Sequence, residues 1–269
     1  MSNIWRFIDS GPCNAAYNMA LDETIASLVR KEDMPPALRL YGWDTPSVSI
    51  GYFQKISDVD ISYCTEKNIP IVRRPTGGRA IFHTQEITYS FSVKTKSGLF
   101  SGGLLDSYKK ISTALGLALS KLGFIPELKI LRETARSLPS DHSSKSPLCF
   151  KSISYGEVSV NNNKIIGSAQ KRWPDGLLQQ GSIPLIIDKD ETSRIFKILS
   201  DNSIMESSKG LTDIFPELQI DSIKNAIRIS FEETFDVKLI LFSPSHEEIS
   251  VAEELEVRKY LSHEWNFKR

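Results

Sequence analysis

Arg73-Arg74-Pro75-Thr76-Gly77-Gly78-Arg79-Ala80-Ile81-Phe82-His83 joins two adjacent guanidinium groups, a Gly-Gly turn, a third arginine and a histidine in one short segment. Upstream, Ile69-Pro70-Ile71-Val72 reads as a strand that delivers the arginines. Downstream, Ile87, Tyr89, Phe91 and Val93 alternate with Thr88, Ser90 and Ser92, the period of two of a strand with one buried face. Fixed cations around a glycine turn make a site for an anionic or strongly polar ligand, because glycine tolerates φ > 0 and lets backbone N–H groups approach closely. The same residues also fit a plain hairpin whose arginines are solvated. No Gly-Lys-Ser/Thr follows, so this is not a Walker loop, and the Gly-x-Gly-x-x-Gly spacing of dinucleotide folds is absent.

Working outward, Asn14 is a helix N-cap, with Tyr17, Leu21, Ile25 and Leu28 at helical spacing through Val29 and Asp22 and Glu23 on the other face. Met34-Pro35-Pro36 breaks that run, and short strands follow at Leu38–Tyr41 and Ser47–Tyr52. A second helix is predicted from about Gly103 to Leu122, stopped by Gly123. Glu157–Val160, Asn161-Asn162-Asn163 and Lys164–Ala169 read as a β-hairpin, since asparagine tolerates the left-handed turn. Leu177–Ile187 predicts a strand interrupted by Gly181 and Pro184; helices then follow over Asp190–Leu199, over Asp221–Glu233 and from Ser245, which with Glu248 makes a capping box. Residues 132–148 form a long polar loop without periodicity, of the kind that serves as an active-site element or is disordered. Clustered strands with helices before and after predict one α+β domain over 1–269.

Composition narrows the function. Hydrophobic residues at 40% and charged residues at 25% suit a globular enzyme with a sizeable core. Lys+Arg and Asp+Glu balance at 33 each, so no global field draws the chain to nucleic acid or an anionic membrane. No signal-like or membrane-spanning apolar run occurs, and the cytoplasm is the expected compartment. Three distant cysteines and four scattered histidines suggest neither a disulfide framework nor a metal site.

Cys149 stands apart from Cys13 and Cys64, to which structural or surface roles are assigned. It lies where the long loop meets the sheet, and an acyl-transfer nucleophile needs a thiolate favoured by a nearby cation. Lys164, after the hairpin turn, is the candidate cation, and it would also stabilise an oxyanion. Each also fits a bland role, Cys149 as a buried small hydrophobe and Lys164 as the solvated lysine normal at a turn. His83 is read as a pocket residue rather than a proton-transfer group. Gln179-Gln180-Gly181-Ser182 offers polar groups and a close backbone approach.

Arg73–His83, Lys164-Ile165-Ile166-Gly167-Ser168-Ala169-Gln170 and Gln180-Gly181-Ser182-Ile183 together resemble the signatures of the biotin/lipoate protein ligase superfamily. Ala16–Glu23, Tyr52-Phe53-Gln54 and Ser262–Asn266 extend the resemblance over most of the chain. It implies a mixed β-sheet core flanked by helices, with a ligase-type catalytic core over 33–248 and helical extensions at both ends. Cys149 lies 164 − 149 = 15 residues before Lys164, which resembles the cysteine-dependent octanoyltransferases of that superfamily. So does Gly-Gly-Arg79, where ligases more often carry a third glycine, and so does an end just after Trp265-Asn266, with no extra carboxy-terminal domain. Tyr155-Gly156 and the Asn-Asn-Asn turn depart from the pattern.

The resemblance implies that Cys149 takes an octanoyl group from octanoyl-acyl carrier protein and passes it to a lysine of a lipoyl domain such as glycine cleavage H protein. Lys164 would lower the Cys149 pKa. Arg74, Gly77, Gly78, Arg79, His83, Gly167, Ser168, Gln180 and Gly181 would bind substrate. Ile81, Tyr89 and Leu178 would line an apolar channel, and Arg73, Lys171 and Arg172 would dock the acidic carrier. No cofactor is then expected. ATP and Mg would be needed only if the chain were instead a lipoate-protein ligase. The same residues are also compatible with a lipoyl-domain amidotransferase or a non-catalytic acyl-binding protein.

Overall fold

The computed structural model describes residues 3–31, 34–128, 158–197 and 208–269. Residues 132–148, Cys149 and Tyr155-Gly156 lie outside them.

β1 (Ile4–Cys13) opens the chain and leads into α1 (Ala15–Lys31), whose N-cap is Asn14 as expected: its Oδ1 accepts from the Tyr17 N–H at 2.8 Å. β2 (Ala37–Trp43) then pairs parallel to β1. β3 (Ser47–Ile50), β4 (Ile71–Arg73) and β5 (Ile81–His83) form a small sheet in the order β4-β3-β5, with α2 (Ile61–Glu66) between β3 and β4 in sequence. The large sheet is completed by β6 (Glu86–Lys94), β7 (Pro126–Leu128), β8 (Val158–Val160), β9 (Asn163–Arg172), β10 (Gly176–Pro184) and β11 (Lys238–Leu241). Its order is β11-β1-β2-β6-β10-β9-β8-β7. β11, β1 and β2 run parallel and the remaining pairs antiparallel, which is the expected mixed sheet.

α3 (Leu104–Lys121) and α6 (Ile220–Phe235) cover one face of that sheet, with α4 (Lys189–Ile195) and α5 (Leu211–Ile214) preceding α6. Beneath them Ile87, Tyr89, Phe91 and Val93 of β6 meet Ile111, Leu115, Ile227 and Phe231. α1 and α7 (His246–Leu255) cover the other face, and α8 (His263–Asn266) closes the chain against β4. The Ser245 capping box of α7 is present, and its Glu248 also meets Arg6 of β1 through two 2.7 Å hydrogen bonds. One carboxylate thus caps a helix and ties it to the sheet.

Four expectations are corrected. β6 is buried on both faces, because α1 covers the side that carries Thr88, Ser90 and Ser92. Asp22 does not face away from the core: it is fully buried and accepts from Ser90 Oγ at 2.6 Å. β10 is continuous through Gly181, which is required because a Cβ there would sit 2.2 Å from Cε1 of the Tyr89 ring. The amino-terminal part is no helical appendage either, since β1 lies within the large sheet between β11 and β2. The β8–β9 hairpin forms as read, with Asn161 and Asn162 at φ of 51° and 61°.

Candidate active site

Asp22 organises the α1 face. Arg39 donates to its Oδ1 at 2.8 Å, and Tyr41 OH and Gln180 Nε2 donate to Oδ2 at 2.8 and 2.7 Å. Arg39 spends its other donors on Ser10 Oγ, Asn18 O and Asn18 Oδ1. A buried charge pair is tolerated only when its remaining donors and acceptors are satisfied, and here they are. Gln180 Oε1 in turn accepts from Thr76 Oγ1 at 2.7 Å, which fastens the arginine–glycine segment to β10.

That segment is not a hairpin with solvated arginines. Arg73 is fully buried and donates to the carbonyls of Gly51, Gln54 and Asn266. Arg74 is buried as well, donating to Ser49 O at 2.8 Å, Ser49 Oγ at 2.6 Å, Gly77 O at 3.0 Å and Arg79 O at 2.8 Å. One guanidinium therefore holds the turn closed around Gly77 and Gly78. Gly51 must be glycine because a Cβ would lie 1.9 Å from Gly78 O, and Gly78 itself has φ of 84°.

A cavity of about 370 Å³, open mouth included, lies between α1, the arginine–glycine turn and the β9–β10 strands. Arg74, Gly78, His83, Gly167, Ser168, Gln180 and Gly181 line it, seven of the residues the sequence nominated. Gly77 sits beside Gly78 and Arg79 half-exposed beyond it, both with carbonyls on Arg74. Lys164 is buried at the turn end of β9 and is not among the lining residues. Met19, Trp43, Ile81 and Ala169 make much of the wall apolar. Of the expected channel residues, Ile81 lines it. Tyr89 instead belongs to the opposite face, its OH reaching Ser168 Oγ at 2.7 Å, and Leu178 is buried away from the wall.

His83 stacks on Trp43 with centroids 3.8 Å apart, shares a hydrogen bond between Nε2 and Ser49 Oγ, and places Nδ1 3.0 Å from Glu86 Oε1 without hydrogen-bond alignment. Glu86 also accepts from Thr88 and Ser182. Burial pushes the Glu86 carboxyl up, but the adjacent His83 and these hydrogen bonds outweigh it and hold it below the free value. His83 is thereby a fixed, buried wall residue.

The docking arginines are corrected. Arg73 serves the interior, and Arg172 donates to Phe100 O, Gly103 O and Ser107 Oγ at the start of α3. Burial raises the thiols of Cys13 and Cys64, the latter to about 11, which keeps both protonated and fits their structural role. Sequence reasoning missed Met19, Tyr41, Trp43 and the Asp22–Arg39 pair. Met19 and Asp22 lie in the Ala16–Glu23 stretch that carries the resemblance, whereas Arg39, Tyr41 and Trp43 had only strand periodicity to mark them.

The family model of the lipoyl protein ligase A/B catalytic domain matches residues 14–236. The chain belongs to that family. Within it, the chain is similar to octanoyltransferase LipM of Kyrpidia tusciae, at 36% identity over 98% of this chain and 99% of that one. Octanoyltransferase LipM of Bacillus subtilis is 33% identical over 98% of each chain. Among solved structures, a lipoate-protein ligase A bound with ATP superposes with a TM-score of 0.81, at 25% identity and 99% coverage of both chains. A bi-partite lipoate protein ligase of Thermoplasma acidophilum, studied with its E2 lipoyl domain, gives 0.78 at 25% identity, covering 98% of this chain and 96% of that one. The family fold therefore accounts for the mixed sheet flanked by helices.

Proposed function

We propose that this enzyme is an octanoyltransferase that moves an octanoyl group from acyl carrier protein to the lysine of a lipoyl domain, with glycine cleavage H protein as an acceptor. The observation that carries the reading is its 33–37% identity, along nearly the whole chain, to relatives named octanoyltransferase LipM. The apolar wall of Met19, Trp43 and Ile81 suits an uncharged acyl chain. Buried Arg74 and His83 fix the polar rim.

In the first step the Cys149 thiolate attacks the carbonyl of the octanoyl thioester, and the carrier's thiolate leaves and takes up a proton. In the second, the neutral amine of the acceptor lysine attacks the acyl-enzyme; an amide forms and the amine proton returns to the departing Cys149 sulfur. Lys164 is assigned to favour the Cys149 thiolate and to stabilise the oxyanion of both tetrahedral intermediates. Neither step needs ATP or a metal.

The ATP-bound lipoate-protein ligase A among the structural neighbours supports a second reading, ATP-dependent ligation. The two separate on one experiment. Purified enzyme is mixed with octanoyl-acyl carrier protein in the absence of ATP and weighed intact. An octanoyl adduct that maps to Cys149 is expected. Absence of any adduct, with modification of a lipoyl domain that requires ATP and survives Cys149→Ala, would overturn the transferase.

A further inference from the structure

Beside the cavity, basic side chains stand on aromatic rings. Lys268 Nζ lies 3.8 Å from the ring centre of Tyr52 and 3.5 Å from that of Trp265. Lys171 Nζ lies 5.4 Å from Tyr52 and 4.8 Å from Trp173, and the Arg269 guanidinium lies 5.3 Å from exposed Phe53. Lys259 joins them 3.9 Å over Trp265 but is neutralised by Glu23. Among the described residues, no ion pair is formed by Lys171, Lys268 or Arg269.

The platform is continuous with the site. Lys171 is two residues beyond Ala169 of the cavity wall, ~7 Å along β9 at strand rise. Tyr52 follows Gly51, which packs on Gly78 at the mouth. We propose that the Lys171–Lys268–Arg269 platform docks the acyl donor, recognising an acidic carrier protein and the phosphodiester of the arm that bears its thioester; this rests on the transferase reading above.

Crowding cations on shared rings is unfavourable in the free enzyme. Burial and the surrounding Arg73, Lys259, Arg269 and Lys171 hold the Lys268 ammonium down at about 8, which registers that repulsion. An arriving anion relieves it. The rings hold the ammonium groups in place beforehand, by attraction between each cation and the negative face of the ring. The chain carries no net charge, so long-range steering of an acidic partner has to come from a local field of this kind.

The test compares the wild type with Lys171→Glu/Lys268→Glu, following acyl-enzyme formation from octanoyl-acyl carrier protein and from the neutral octanoyl thioester of N-acetylcysteamine. The double variant is expected to raise KM for the carrier-borne donor about tenfold, to flatten its dependence on salt, and to leave the small donor unaffected. An unchanged KM for the carrier overturns the proposal, as does equal loss with both donors or a rise in KM for the acceptor domain instead. Should the charge-reversed protein unfold, Lys171→Gln/Lys268→Gln gives the same comparison with a smaller expected rise. A wild type that takes the small donor while its reaction with the carrier is insensitive to salt loses the docking site and keeps the transfer reaction. A wild type that takes neither donor loses both.

Discussion

At the scale of single residues, Asp22 is the most consequential side chain that its own sequence position concealed. It sits on α1 among residues of helical amphipathic spacing, where a carboxylate ordinarily marks the solvated face. Instead it faces Arg39, Tyr41, Ser90 and Gln180. Asp22→Ala leaves the Arg39 guanidinium buried and uncompensated, and is expected to lower unfolding stability by about 3–5 kcal/mol. Urea denaturation measures it, and a loss below about 1 kcal/mol, the level of an exposed pair, would refute that role. Glu86 makes a pH prediction. Its folded pKa is depressed below the free value of 4.5, so its stabilisation is full above that value and disappears as pH falls through the lower folded pKa. Unfolding free energy of the wild type should therefore drop more steeply than that of Glu86→Gln over that acid range. Parallel curves would show that Glu86 contributes no such linkage.

At the scale of elements, β10 illustrates how a strand can contradict its own local signals. A glycine in a strand interior weakens it, and sequence rules read Gly181 as an interruption. The strand is nonetheless continuous and fully buried, since the Tyr89 ring of neighbouring β6 occupies the space a side chain would need. Gly181→Ala should force that ring aside at a cost of about 1–3 kcal/mol, read from thermal or urea unfolding. A variant as stable as the wild type would mean that the ring moves freely. The hairpin was legible throughout, because two asparagines in the left-handed region carry their own turn chemistry. β1 was not: Trp5, Phe7 and Ile8 are buried on both faces, so no alternation advertises the strand.

At the scale of the whole molecule, local sequence determined the helix caps, the hairpin, the α+β class and the segment Arg73–His83 around which the site is built. It also carried the family, through motifs spread over most of the chain. Each of these depends on short-range chemistry: a capping side chain, a turn residue, a period of two or 3.6. Only the tertiary structure decided what those residues do. Arg73 and Arg74 could be read as a ligand cradle or as solvated charges; the fold buries both and turns them on backbone carbonyls of β3, the loop after it and α8. Tyr89 and Thr88 are adjacent in sequence, yet one packs in the core under α3 and the other lines the cavity under α1. The docking platform joins Tyr52, Lys171 and Lys268, from distant parts of the chain, onto one surface. Burial, charge compensation and the meeting of distant segments are properties of long-range contact, and no window of sequence contains them.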